Sequence, residues 1–84
     1  MITKGFVLHD KMGLHARPAA ALMMALLHMD AKVEIAFGGK RTDGRDIMGM
    51  MDLEARAGDE VTFTVHGPQE REAMEKVEEL MKMV

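Results

Sequence analysis

The sequence predicts an α+β fold in which a four-stranded antiparallel sheet is covered on one face by three helices, in the order β-α-β-β-α-β-α. Three observations predict it. Four short segments carry their apolar residues on one face only, the pattern of an antiparallel sheet with its other face wet. Two longer segments repeat apolar residues at helical spacing, so their stripes must cover the apolar sheet face. The chain has 84 residues, enough for a single domain over 1–84 with one thin core.

From Ile2 to Leu8, the residues Ile2, Phe6 and Leu8 share a face and Lys4 interrupts it, as near a sheet edge. His9 to Gly13 is expected as a loop. Ala16 to Met29 is rich in alanine, leucine and methionine, strong helix formers. Pro18 falls in its first turn, where a missing N–H costs little, and Ala19, Leu22, Met23 and Leu26 face the core. Lys32 to Phe37 alternates, with Val33, Ile35 and Phe37 on one side. Gly38-Gly39 signals a hairpin into a return strand over Lys40 to Thr42. Asp46 is a candidate N-cap for a short helix over Ile47 to Met51. After a turn at Ala57-Gly58-Asp59, Val61, Phe63 and Val65 alternate through Glu60 to His66. Gly67-Pro68 stops that strand, and Gln69 to Val84 reads as a helix with Ala73, Val77, Leu80 and Val84 on one stripe.

Composition narrows the function. Hydrophobic residues make up 48% and charged residues 30% of the chain, which suits a folded globule. The net charge is −3 with no basic tract, so nucleic acid is not an expected partner. Cysteine is absent, which excludes thiol catalysis and thiolate metal sites. No signal-peptide pattern or apolar run of membrane-spanning length is present, so a cytoplasmic protein without membrane insertion is expected. Eleven methionines suit irregular core gaps and also surfaces that accept several partners.

The run Gly13-Leu14-His15-Ala16-Arg17-Pro18-Ala19-Ala20 is the most informative stretch. It sets a histidine just before a helix and an arginine two residues on. A helix N-terminus offers unpaired N–H groups and the positive end of a dipole, which suit an anion. His15 adds a nucleophilic nitrogen; Arg17 adds a planar fork of donors. Alone, a His-x-Arg pair favours the plainer reading, with His15 as a capping residue and Arg17 as a solvated first-turn charge. The whole run at a strand-to-helix junction points to a phosphoryl group held briefly on histidine, with the backbone N–H groups of Ala16 and Arg17 facing it.

With Ile47-Met48-Gly49, the following Met51 and Gly58-Asp59-Glu60-Val61, that run makes the chain resemble the HPr family over essentially its whole length. These are the histidine-containing phosphocarriers of the bacterial phosphoenolpyruvate-dependent sugar phosphotransferase system. The resemblance implies an open-faced β-sandwich with strand order 1-4-2-3. It implies that enzyme I passes a phosphoryl group to Nδ1 of His15, that Arg17 orients it, and that a IIA component of a sugar permease receives it. Such a protein is not an enzyme on its own and needs no cofactor. A monomer is expected because the charged last helix and the open sheet face offer no large apolar surface beyond a docking patch, and no metal is expected from the histidine spacing. The resemblance also implies a docking surface for both partners at Ala20, Met24, Leu27, Ile47, Met48 and Met51, with Met50 and Leu53 turned inward. A phosphocarrier of the nitrogen-related branch shares these features, and a binding module acting on regulatory proteins is a further alternative.

Asp46 departs from the serine that many relatives carry as a regulatory phosphorylation site. It reads as a helix cap first and as a fixed negative charge beside the docking surface second. His9, His28 and His66 lack a phosphate-binding setting and show no helical metal-ligand spacing; surface positions are expected for them.

Overall fold

The computed structural model describes residues 1–84. Its elements are β1 (Ile2–Val7), α1 (Ala16–Leu26), β2 (Lys32–Phe37), β3 (Lys40–Asp43), α2 (Ile47–Asp52), β4 (Glu60–His66) and α3 (Glu70–Met81). The strands form one antiparallel sheet in the order β1-β4-β2-β3. β4 is thus inserted between β1 and β2, the two strands that α1 connects, which is a split β-α-β arrangement.

Alternation along each strand decides which face is covered. In β2 and β4, Val33, Ile35, Val61, Phe63 and Val65 are all buried, while Glu34, Thr62 and Thr64 occupy the open face. The register places Val33 opposite Val65 and Ile35 opposite Phe63, so apolar side chains meet across the strands. Phe6 of the edge strand β1 closes this layer edge-on to Phe63, with ring centroids 5.5 Å apart. Above it lie Ala19, Leu22 and Leu26 of α1, Met50 of α2, and Ala73, Met74, Val77 and Met81 of α3. Burying each of the larger side chains is worth about 1.5–3 kcal/mol, so the cluster of 18 residues supplies the main driving force. No helix is long and apolar enough to cross a membrane.

Two helices are shorter than their periodicity predicts, and each has a competing hydrogen bond to explain it. α1 ends at Leu26 rather than Met29. Met29 donates its N–H to Leu26 O at 3.1 Å, a tightened last turn. The Arg45 guanidinium adds a charged donor to the carbonyls of this turn: Nε donates to Leu26 O at 3.0 Å, and Nη2 donates to Met29 O at 2.8 Å and Ala31 O at 2.9 Å. Gln69 fastens the same turn to the start of α3, its N–H donating to Asp30 O and its Oε1 accepting from Asp30 N–H. α3 starts at Glu70 and ends at Met81, one residue and three residues inside the expected Gln69 to Val84. There the chain tightens again, and Val84 O accepts the N–H groups of His9 and Asp10. On the α3 stripe, Met74 and Met81 are fully buried whereas Leu80 is only half-buried. Met23 and Phe37, expected in the core, are half-buried against its margin. β3 runs one residue beyond Thr42, to Asp43.

Candidate functional site

The site is built on the loop between β1 and α1. Asp10 starts a tight turn: its C=O accepts from Gly13 N–H at 2.8 Å, and its carboxylate Oδ1 accepts from Met12 N–H at 2.8 Å. Gly13 follows with φ of 63°, a left-handed conformation that side chains resist. It also passes so close to the segment after α2 that an added Cβ would stand 2.8 Å from the Arg56 Cα and closer still to the Ala55 carbonyl oxygen. Leu14, buried, donates its N–H to the same Ala55 oxygen at 3.3 Å. The loop is therefore pressed onto the protein body one residue before His15.

His15 is the N-cap residue of α1, in extended conformation with φ of −88°. Its side chain makes no capping hydrogen bond, so neither ring nitrogen is engaged by the helix. Its carbonyl accepts the first helical bond, from Ala19 N–H. Ala16 and Arg17 occupy the first two helical positions, where N–H groups have no partner within the helix. Pro18 at the third position has no N–H to offer. Two amides and the positive end of an 11-residue helix thus lie beside an unengaged imidazole. Arg17 is exposed and forms no salt bridge within the chain. The His15 side chain is 29% exposed, and its Nε2 lies 3.9 Å from Asp10 Oδ2.

The imidazole stands on a ridge between two clefts. One, of about 280 Å³, is lined by Asp10, His15, Arg17, Pro18, Ala21 and Leu22 with Leu80, Met83 and Val84. The other, of about 220 Å³, is lined by Lys11, Met12, Leu14, His15, Met51, Glu54, Ala55 and Arg56. Met12 and Met51, which line the second cleft, are exposed; so are Met24 on α1, Leu27 just after it and Met48 on α2, with Met24 at 69% and Met48 at 67%. Ala20 and Ile47 are half-buried; Ile47 also packs against the core, and Met50 and Leu53 are buried beneath it. Asp46 caps α2, its carboxylate accepting from Gly49 N–H at 2.9 Å.

Asp10, Lys11, Met12 and Arg56 escaped the sequence reading of the site. Asp10 had a local signal, an acidic residue two before an amide it can turn back to accept. Arg56 had none, since it reaches the site only through the close approach of Gly13 to Ala55.

The chain as a whole resembles known proteins. The family described as the PTS HPr component phosphorylation site matches residues 2–83. Phosphocarrier protein HPr of Treponema pallidum (strain Nichols) is 33% identical, over 98% of this chain and 93% of its own. That of Cupriavidus necator is 36% identical over 89% and 84%. Among solved structures, HPr from Bacillus anthracis superposes with a TM-score of 0.86 at 31% identity, covering 95% of each chain. A Thermoanaerobacter tengcongensis HPr structure gives 0.90 at 28% identity, over 98% of this chain and 92% of that one. A β1-β4-β2-β3 sheet under three helices and a full-length match thus converge, and the chain belongs to the HPr family of phosphocarriers.

Proposed function

We propose that this protein shuttles a phosphoryl group on Nδ1 of His15, taking it from enzyme I and giving it to a IIA component of a sugar permease. One observation carries the reading: an unengaged, partly exposed imidazole caps a helix whose first two amides have no partner within the helix. A phosphoryl group on that ring brings negative charge to the amides of Ala16 and Arg17, and the Arg17 guanidinium supplies a fork of donors to orient it. The site is open on both sides, as a group that must be handed on requires.

The exposed Met24, Leu27, Met48 and Met51, with Ala20 and Ile47 between them, form the surface on which both partners dock. Exposed apolar area of this kind is a marker of protein contact, and methionine adapts to more than one partner. Asp46 acts there as a helix cap. On this reading the protein works as a cytoplasmic monomer of one domain and catalyses nothing by itself.

The test is incubation with enzyme I and phosphoenolpyruvate labelled in its phosphoryl group. Acid-labile label is expected on the wild type and absent from His15→Ala. Passage of the label to a sugar-permease IIA protein supports the transport role, and passage only to a nitrogen-branch IIA replaces it.

A further inference from the structure

We infer that Asp10 is a positioning residue for His15: its carboxylate favours the ring tautomer that carries the proton on Nε2, which leaves the Nδ1 lone pair free to attack. The inference takes its purpose from the phosphocarrier reading above, but its test does not depend on it.

Asp10 is held on three sides. Its N–H donates to Val84 O and its C=O accepts from Gly13 N–H. Its Oδ1 accepts from Met12 N–H at 2.8 Å. With that oxygen committed, Oδ2 is the atom left over, and it lies 3.9 Å from His15 Nε2. This is longer than a hydrogen bond but well within reach of a charge acting on the ring. A carboxylate only accepts. A neutral imidazole that presents Nε2–H to it is attracted, whereas one that presents the Nε2 lone pair is repelled. The partner of one ring nitrogen thereby settles what the other can do. Arg17 lines the same cleft as Asp10 and His15, and Lys11, Glu54 and Arg56 line the second; among the charged side chains, ion-pair distance to the ring is reached by Asp10.

The same contact serves both halves of the transfer. As His15 attacks, the Nδ1 lone pair forms the N–P bond, and the bond from phosphorus to the donor breaks with its electron pair leaving on the donor. Nε2 keeps its proton, so the phosphorylated ring is a cation whose N–H faces Asp10. On onward transfer the N–P electron pair returns to Nδ1 and the ring is neutral again. Nothing is oxidised or reduced. A carboxylate fixed beside Nε2 stabilises the cationic ring, from which Nδ1 leaves readily.

The test is the tautomer of His15 in uniformly ¹⁵N-labelled, unphosphorylated protein, read from two-bond ¹H–¹⁵N correlations in solution alkaline enough that imidazole is neutral. The wild type is expected to show Nε2–H as the major form. Asp10→Asn keeps an oxygen for Met12 N–H but turns an NH₂ donor toward the ring, so the proton is expected to shift toward Nδ1. Asp10→Ala is expected to lower the Nε2–H to Nδ1–H ratio about three-fold, the size of a solvent-exposed charge contact. A wild-type ring with its proton mainly on Nδ1 overturns the inference, even if neither variant folds. So does an Asp10→Asn ratio equal to wild type with the Met12 amide signal unmoved. Failure of His15 to accept label from enzyme I leaves these spectra unchanged, so the two readings fail separately.

Discussion

Replacing Gly13 by alanine tests how the loop holds His15. Two costs are expected. With φ at 63°, any Cβ at this position is strained, worth about 1–2 kcal/mol. The added methyl also stands within 3.0 Å of three backbone atoms at once: Ala55 O, Ala55 C at 2.9 Å and the Arg56 Cα at 2.8 Å. Backbone cannot swing aside as a side chain can, and overpacking of this kind costs about 1–3 kcal/mol more. Alanine recovers roughly 0.4–1 kcal/mol by stiffening the unfolded chain. The net loss is then about 3 kcal/mol, or roughly 12–24 °C in Tm for a domain of this size. Gly38→Ala supplies the control. Its φ is 58°, and an added Cβ there meets nothing within 4 Å. It bears the conformational cost alone, about 1 kcal/mol or less after the unfolded-state gain. Urea denaturation of both variants, compared at equal slope, measures the difference. If Gly13→Ala is no less stable than Gly38→Ala, the close approach of the loop to Ala55 is not what fixes the site.

Three further outcomes follow from the same geometry. Arg45→Ala strips three carbonyls of their charged donor and is expected to cost about 2–4 kcal/mol in urea denaturation; Arg45→Lys recovers less than half, because one ammonium cannot span three acceptors as a planar fork does. Met48→Glu, at a side chain 67% exposed, changes stability by less than about 0.5 kcal/mol but raises the KM of enzyme I for this protein several-fold in a transfer assay. The Glu70 carboxyl is held below its usual range, chiefly by the hydrogen bond from the Met1 ammonium and then by Gly67 N–H. A lowered carboxyl stabilises the folded state above its ordinary pKa, and that contribution disappears as pH falls through the carboxylate range; Glu70→Gln flattens the acid limb of the stability curve, checked by thermal melts from neutral to acid pH.

The fold was legible wherever a pattern was local. Alternation in Lys32–Phe37 and Glu60–His66 placed Val33, Ile35, Val61, Phe63 and Val65 on the covered face. The places of His15 and Arg17 at the start of α1 and the capping of α2 by Asp46 were legible too, because helix starts are written in a few adjacent residues. The helix ends were not. Periodicity carried α1 to Met29 because nothing near Leu26 announces an arginine 19 residues away that takes its carbonyl. Periodicity likewise carried α3 to Val84, which instead bonds the loop before His15. Strand order also lay outside local pattern: insertion of β4 between β1 and β2 is a choice among topologies, and resemblance to the family supplied it.

The Arg45 guanidinium has a mechanical consequence. Arg45 sits just ahead of α2, and its side chain grips the trailing end of α1. The two helices that carry Met24, Leu27, Met48 and Met51 are thereby riveted together at one corner. If partners dock there as proposed, each meets a preassembled plate rather than two independently sliding rods, and spends little of its association energy on aligning them.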